Sequence, residues 1–259
     1  MKLIVSDLDG TLLNDEKKIS EETKLILKKL RLKGIEFAFA SGRGIGSITP
    51  YRDFLNIDTY FICNNGASIY NKSEKLIYEN PIDEKIVKKI ITFFRKKNIN
   101  YNGFYKDKLF IDSLTENKVV TLESQYNIVE LKNQKKFPKM IKLIIKGNEK
   151  DIISLKNEMT NLFSKFLDIT ISHPTCLDIV SVNATKGNGI KFLSEKLNIS
   201  IYDIIAFGDA GNDLDMLQTV GHPVIMKNSS FELKNYIKNQ TLSNIEDGVA
   251  HYLKEYFSL

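Results

Sequence analysis

Histidine, cysteine and proline are scarce in this chain: three, two and five residues respectively among 259. So few histidines and cysteines supply no clustered nitrogen and sulfur ligands, which disfavours a zinc site. Cys63 and Cys176 stand far apart, each among apolar neighbours. They read as buried free thiols suited to a reducing compartment. No apolar run approaches the ~20 residues that span a bilayer. Met1 leads almost directly into a strand-like segment, which leaves no room for a signal peptide. The expectation is a cytoplasmic protein. Internal repeats and low-complexity linkers are also missing.

What is present is an ordinary globular balance, 42% apolar and 27% charged, with a net charge of +5. The length suits one large or two modest domains. A basic chain invites nucleic acid or a membrane surface. The stretch Lys85 to Lys97 tests that idea. Ile86, Val87, Ile90, Ile91 and Phe94 recur at helical spacing, with Lys85, Lys88, Lys89, Lys96 and Lys97 mostly between them. This is an amphipathic surface helix whose lysines form a solvated face. Neither nucleic acid nor membrane is expected as a partner.

The first part of the chain alternates strand and helix. Leu3 to Ser6 reads as a strand. Ser20 can N-cap a helix with Glu21 and Glu22 in its first turn and Gly34 as its stop. Ile35 to Ala40 and Tyr60 to Cys63 are further strands, and Asn65-Gly66 signals a tight turn. The last part alternates too: helix 189–197, strand 204–207, helix 212–219, strand 223–226 and a final helix. Such alternation predicts a mostly parallel sheet covered on both faces. The middle differs after Asn80-Pro81. Helix 84–97, strand-like pieces at 99–105 and 109–112, and a polar helix around 115–125 come first. Strand 140–146, helix 149–163 and a hairpin around Pro174 follow. This is an α+β pattern with an antiparallel sheet. The predicted plan is an α/β core from residues 1–80 and 183–259, with residues 81–182 inserted as a second domain.

Three acidic or phosphate-friendly segments stand at the carboxyl ends of predicted core strands, where open α/β sheets place their ligands. Asp7-Leu8-Asp9-Gly10-Thr11 follows the first strand, Ser41-Gly42-Arg43 the second, and Gly208-Asp209-Ala210-Gly211-Asn212-Asp213 the strand 204–207. Lys186-Gly187 lies just after the insert. Folded together they bring carboxylates, a hydroxyl, an ammonium and a side-chain amide to one spot. Clustered carboxylates repel unless a cation neutralises them. Oxygen-only ligands beside a phosphate favour Mg2+. One decoy fails: Gly42-Arg43-Gly44-Ile45-Gly46 is similar to a dinucleotide fingerprint, but its third glycine would be residue 47, which is Ser.

The set DxDGT, SGR, Lys-Gly and GDxxND resembles the haloacid dehalogenase superfamily of aspartate-nucleophile phosphatases. Asp9 to Leu13, Asn65-Gly66-Ala67, Asp213 to Leu217 and Glu246 to Ala250 resemble its Cof-type branch. The resemblance runs from end to end. It implies a Rossmann-like core with an inserted cap over the active site. It also implies an aspartyl phosphate on Asp7 and acid–base work by Asp9. Mg2+ would be held by Asp7, the backbone carbonyl of Asp9 and Asp209, with Asp213 orienting a water on the metal. Leu8, Ser41, Gly42, Lys186 and Asn212 would hold the phosphate. Crowding by carboxylates predicts a raised pKa for Asp9, and Arg43 receives no defined contact. The implied substrate is a small phosphorylated metabolite, a sugar phosphate or related compound. A phosphomutase and a catalytically silent phosphate sensor remain alternatives. His173 and His222, each before a proline, read as turn-packing residues, with His173 also a weak candidate for substrate contact.

Overall fold

A computed structural model describes residues 1–113, 126–134 and 136–259. The polar helix expected around 115–125 lies outside the described residues. In chain order the first elements are β1 (Leu3–Ser6), α1 (Glu21–Leu32), β2 (Glu36–Ala40), α2 (Thr49–Leu55), β3 (Tyr60–Cys63), β4 (Ser68–Tyr70) and β5 (Leu76–Glu79). Next come α3 (Glu84–Lys96), β6 (Asn102–Tyr105), β7 (Lys108–Ile111), β8 (Asn127–Glu130), β9 (Lys142–Lys146), α4 (Glu149–Phe163), β10 (Leu167–His173) and β11 (Cys176–Ser181). The chain ends with α5 (Lys186–Leu197), β12 (Ile204–Gly208), α6 (Leu214–Thr219), β13 (His222–Ile225), α7 (Phe231–Tyr236) and α8 (Gly248–Tyr256). None of the described helices is long and apolar enough to cross a membrane.

The chain divides into two compact units, one of Met1–Tyr78 with Thr185–Leu259 and one of Glu79–Ala184. The first is built on a seven-stranded sheet in the order β13-β12-β1-β2-β3-β4-β5. The pairs β13/β12, β12/β1, β1/β2 and β2/β3 are parallel, and β3/β4 is antiparallel. The central strands β1, β2, β3 and β12 are buried on both faces, so they are apolar along nearly their whole length. Ile4, Phe37, Phe39, Ile205 and Phe207 pack on one face with α1 and α8. Leu3, Val5, Ala38, Ala206 and Ile204 pack on the other with α5, α6 and α7. In α1 the Ser20 hydroxyl accepts the Thr23 N–H at 3.0 Å, and Gly34 beyond its end has φ +80°. That is the cap and stop expected from the sequence.

Helix α5 begins at Lys186, three residues before the expected start. Thr185 caps it by accepting the Asn188 N–H at 3.2 Å. Lys-Gly-Asn-Gly therefore forms the first turn of the helix. The expected helix at 212–219 is split into a 3₁₀ turn, Gly211–Asp213, and α6.

The second unit is the α+β module expected from its pattern. Its sheet runs β10-β11-β9-β6-β7-β8. It is antiparallel except for β7/β8, a parallel pair that local pattern could not announce. Helices α3 and α4 press Val87, Ile90, Phe94, Ile152 and Met159 against Leu143, Ile145, Leu177 and Ile179. The lysines of α3 are exposed. Both cysteines are free, but only Cys63 is buried; Cys176 is half-buried at the hairpin end of β11, so the expectation of two buried thiols holds for one.

Candidate functional site

Strand order places the site. Because β1 lies between β2 and β12, the loops leaving all three emerge side by side at their carboxyl ends. Asp7 continues β1 by donating its N–H to the Phe207 carbonyl at 3.0 Å. Its carboxylate is buried, and Oδ1 accepts from the Lys186 ammonium at 2.5 Å. Lys186 also donates to Asp213 Oδ1 at 2.6 Å, and both of these side chains are fully buried. Asp213 Oδ2 accepts the N–H groups of Asp209 and Ala210 at 2.9 and 3.0 Å, closing the loop on itself. Asp209 Oδ1 accepts the Thr11 hydroxyl at 2.7 Å. Asp7, Asp209 and Asp213 each offer an oxygen within 4.8 Å of the others.

The donor set fits a divalent cation. Three carboxylates face one ammonium, which leaves an excess of about two negative charges. The carboxyl groups register that excess. Burial raises the Asp7 pKa, Lys186 lowers it, and Asp213 and Asp209 raise it again, to about 8. Asp209 is raised to about 6, mainly by burial and then by Asp213. Burial lowers the Lys186 pKa, but Asp213 and Asp7 outweigh it and push it well above the ordinary lysine value. Lys186 thus stays charged, and the unneutralised remainder rests on the carboxylates. A hard, oxygen-liganded ion would remove it.

Asp9 differs from its expected state. Burial alone would raise its pKa, but hydrogen bonds and charge from Arg43 and Lys17 outweigh burial and lower it. Arg43 grips it with two prongs, Nε to Oδ2 at 2.7 Å and Nη2 to Oδ1 at 2.6 Å. Lys17 Nζ reaches Oδ1 at 2.9 Å. Arg43, left without a defined contact in the sequence reading, is therefore the main partner of Asp9. Lys17 was missed altogether; no local pattern marks one lysine among many.

The remaining residues fall into place around these two groups. Leu8 puts its side chain in the core, so only its backbone is available to an anion. The Ser41 hydroxyl accepts the Arg43 N–H at 3.2 Å, and its carbonyl accepts the Asn65 N–H at 3.0 Å. Asn212 donates its side-chain amide to Asn65 Oδ1 at 3.2 Å, and Gly42 stands against the same oxygen. Asn65 is buried and sits at φ +56°, inside a 3₁₀ turn rather than a two-residue hairpin turn. No hydrogen bond among the described residues joins the Ser41 or Asn212 side chain to Asp7. His173 is exposed, with Nδ1 2.9 Å from Thr175 Oγ1, and His222 lies edge-on to Tyr256; both are packed into local structure.

Residues 4–253 match the family model of the haloacid dehalogenase-like hydrolases. The chain belongs to that family. A protein of Buchnera aphidicola from Schizaphis graminum is 35% identical over 264 residues, covering 99% of this chain and 96% of that one. The 5-amino-6-(5-phospho-D-ribitylamino)uracil phosphatase YitU of Bacillus subtilis is 28% identical, covering 99% and 98%. The crystal structure of a haloacid dehalogenase-like hydrolase from Bacteroides thetaiotaomicron superposes with a TM-score of 0.83 at 27% identity, covering 99% of each chain. The protein is a hydrolase of the phosphatase type.

Proposed function

We propose that this protein is an Mg2+-dependent phosphatase that hydrolyses small phosphorylated metabolites through an aspartyl phosphate on Asp7. The observation that carries the reading is the environment of Asp7. Lys186 holds Oδ1, while Oδ2 accepts no hydrogen bond from the described residues. An oxygen so left is placed to attack phosphorus. Mg2+, held by Asp7, Asp209 and the carbonyl of Asp9, would neutralise the carboxylate excess and the charge on the phosphate. Lys186 adds a fixed positive charge there. Asp213 holds Lys186 and the 209–210 backbone in place. Ser41, Gly42, Asn212 and the Leu8 backbone would receive the phosphate oxygens.

Asp9 would give a proton to the leaving oxygen and later take one from the hydrolytic water. Its lowered pKa means that it rests as a carboxylate. The negative charge of an incoming phosphate raises that pKa again, which eases protonation when the acid is needed. The insert, residues 81–182, is read as the selector of the leaving group, since every residue given a chemical role lies outside it. The relative YitU is named for a phosphorylated ribityl compound. That supports a small polyol or sugar-type phosphate as substrate class.

The test is phosphate release from a panel of sugar, nucleotide and cofactor phosphates. Wild type with Mg2+ should turn over, chelated wild type should not, and Asp7→Asn should be silent though folded. Near-wild-type turnover by Asp7→Asn overturns the nucleophile. Full activity after exhaustive chelation overturns the metal.

A further inference from the structure

The turn at residues 14–18 is built around one unusual backbone position. Lys17 has φ +59°, a left-handed conformation that side chains with a Cβ rarely adopt. Four hydrogen bonds hold it there. Asn14 donates its N–H to the Lys18 carbonyl at 3.0 Å, and Lys17 donates to the Asn14 carbonyl at 2.9 Å. The Asn14 side-chain oxygen accepts the N–H groups of Glu16 and Lys18 at 3.1 and 3.0 Å. The same turn recurs at residues 71–75 with Glu74 at φ +57°, so what sets Lys17 apart is the contact its side chain makes. The neighbouring lysine shows the contrast: Lys18 turns away and pairs with Glu16 at 2.8 Å. Lys17 instead places its ammonium on Asp9 Oδ1, the oxygen that also accepts from Arg43 Nη2.

A carboxylate has about four acceptor positions. At Asp9, Oδ1 receives Lys17 and Arg43 Nη2, and Oδ2 receives Arg43 Nε. The one position left is on Oδ2. We infer that Lys17 is a positioning residue for Asp9, completing with Arg43 a clamp that presents Oδ2 to the reacting oxygens. This rests on the reading of Asp9 as the acid–base group. As the Asp7–phosphorus bond forms and the phosphorus–leaving-group bond breaks, the proton on Asp9 Oδ2 passes to the leaving oxygen. The same atom then accepts a proton from the water that attacks phosphorus and releases Asp7.

Leaving-group chemistry separates this from a structural role. p-Nitrophenyl phosphate departs with little need of a proton, whereas an alkyl phosphate needs one fully. The experiment compares kcat/KM, which reports the step that expels the leaving group, on p-nitrophenyl phosphate and on the alkyl phosphate that wild type hydrolyses fastest. The variants are Lys17→Met, Lys17→Arg, Lys18→Met and Asp9→Asn. Lys17→Met should lose about ten-fold more on the alkyl substrate than on the aryl one, a fraction of the ~10²–10⁴ attributed to a general acid. Lys17→Arg should recover much of that difference, and Lys18→Met should show none. An equal loss on both substrates, no loss, or a gain in Lys17→Met overturns the inference while Asp9→Asn remains selective. If Asp9→Asn itself loses equally on both, the acid–base reading of Asp9 fails instead.

Discussion

Lys186 and Asp213 form a fully buried ion pair at 2.6 Å, and the same ammonium is shared with Asp7 at 2.5 Å. A buried pair adds little net stability, but removing one partner is costly because it strands the other. Here it strands three carboxylates. Lys186→Met should destabilise the metal-free protein by about 3–5 kcal/mol. In a chain of this size that lowers Tm by on the order of 10 °C. Thermal denaturation with and without Mg2+ checks this; a loss below about 1 kcal/mol would mean that the cluster is protonated and needs no internal cation.

Gly10 and Gly34 both have positive φ, +83° and +80°, but a Cβ meets different surroundings at the two. At Gly34 nothing lies within 4 Å, and at Gly10 the Asp209 carboxylate fills the space. Gly34→Ala should therefore cost only the ~1–2 kcal/mol of left-handed strain and leave kcat unchanged. Gly10→Ala should add displacement of Asp209, with at least about ten-fold lower kcat and a weakened response to Mg2+. Equal effects of the two substitutions on kcat would contradict the close packing.

The raised carboxyls make metal binding pH-dependent. Between the unfolded carboxyl pKa near 4 and the folded values of about 6 for Asp209 and about 8 for Asp7, the folded state holds more protons than the unfolded chain. Stability of the metal-free protein therefore falls as pH rises through that window. The depressed pKa of Asp9 acts below it. A divalent ion competes with those protons, so the Tm gain from a fixed Mg2+ concentration should be larger at pH 8 than at pH 6. Calorimetric scans at the two pH values suffice, and a flat gain would remove the proton–metal competition.

Asn65 links the second and last site loops through Asn212 and Gly42. Asn65→Gly keeps the left-handed backbone accessible and deletes only the side chain. It should cost about 1 kcal/mol in stability for the lost hydrogen bond. Inhibition by inorganic phosphate should weaken several-fold, because Asn212 loses its anchor. Unchanged inhibition would show that Asn212 needs no support from Asn65.

Much of the fold is written in local pattern. Strand β1, helix α4 and the hairpin around Pro174 follow from apolar periodicity and turn residues, because burial on a face imposes a period that a short window reveals. The positions of Asp7, Ser41 and Asp209 at strand ends follow likewise. Local pattern stops where partners are distant. Asp9 looked like one more crowded carboxylate, yet Arg43, 34 residues on, and Lys17, eight on, lower its pKa. The early start of α5, the parallel β7/β8 pair and the burial of Asn65 are of the same kind. Each depends on which loops and strands become neighbours. A charge responds to distances through space, and those were settled only when β1 took its place between β2 and β12.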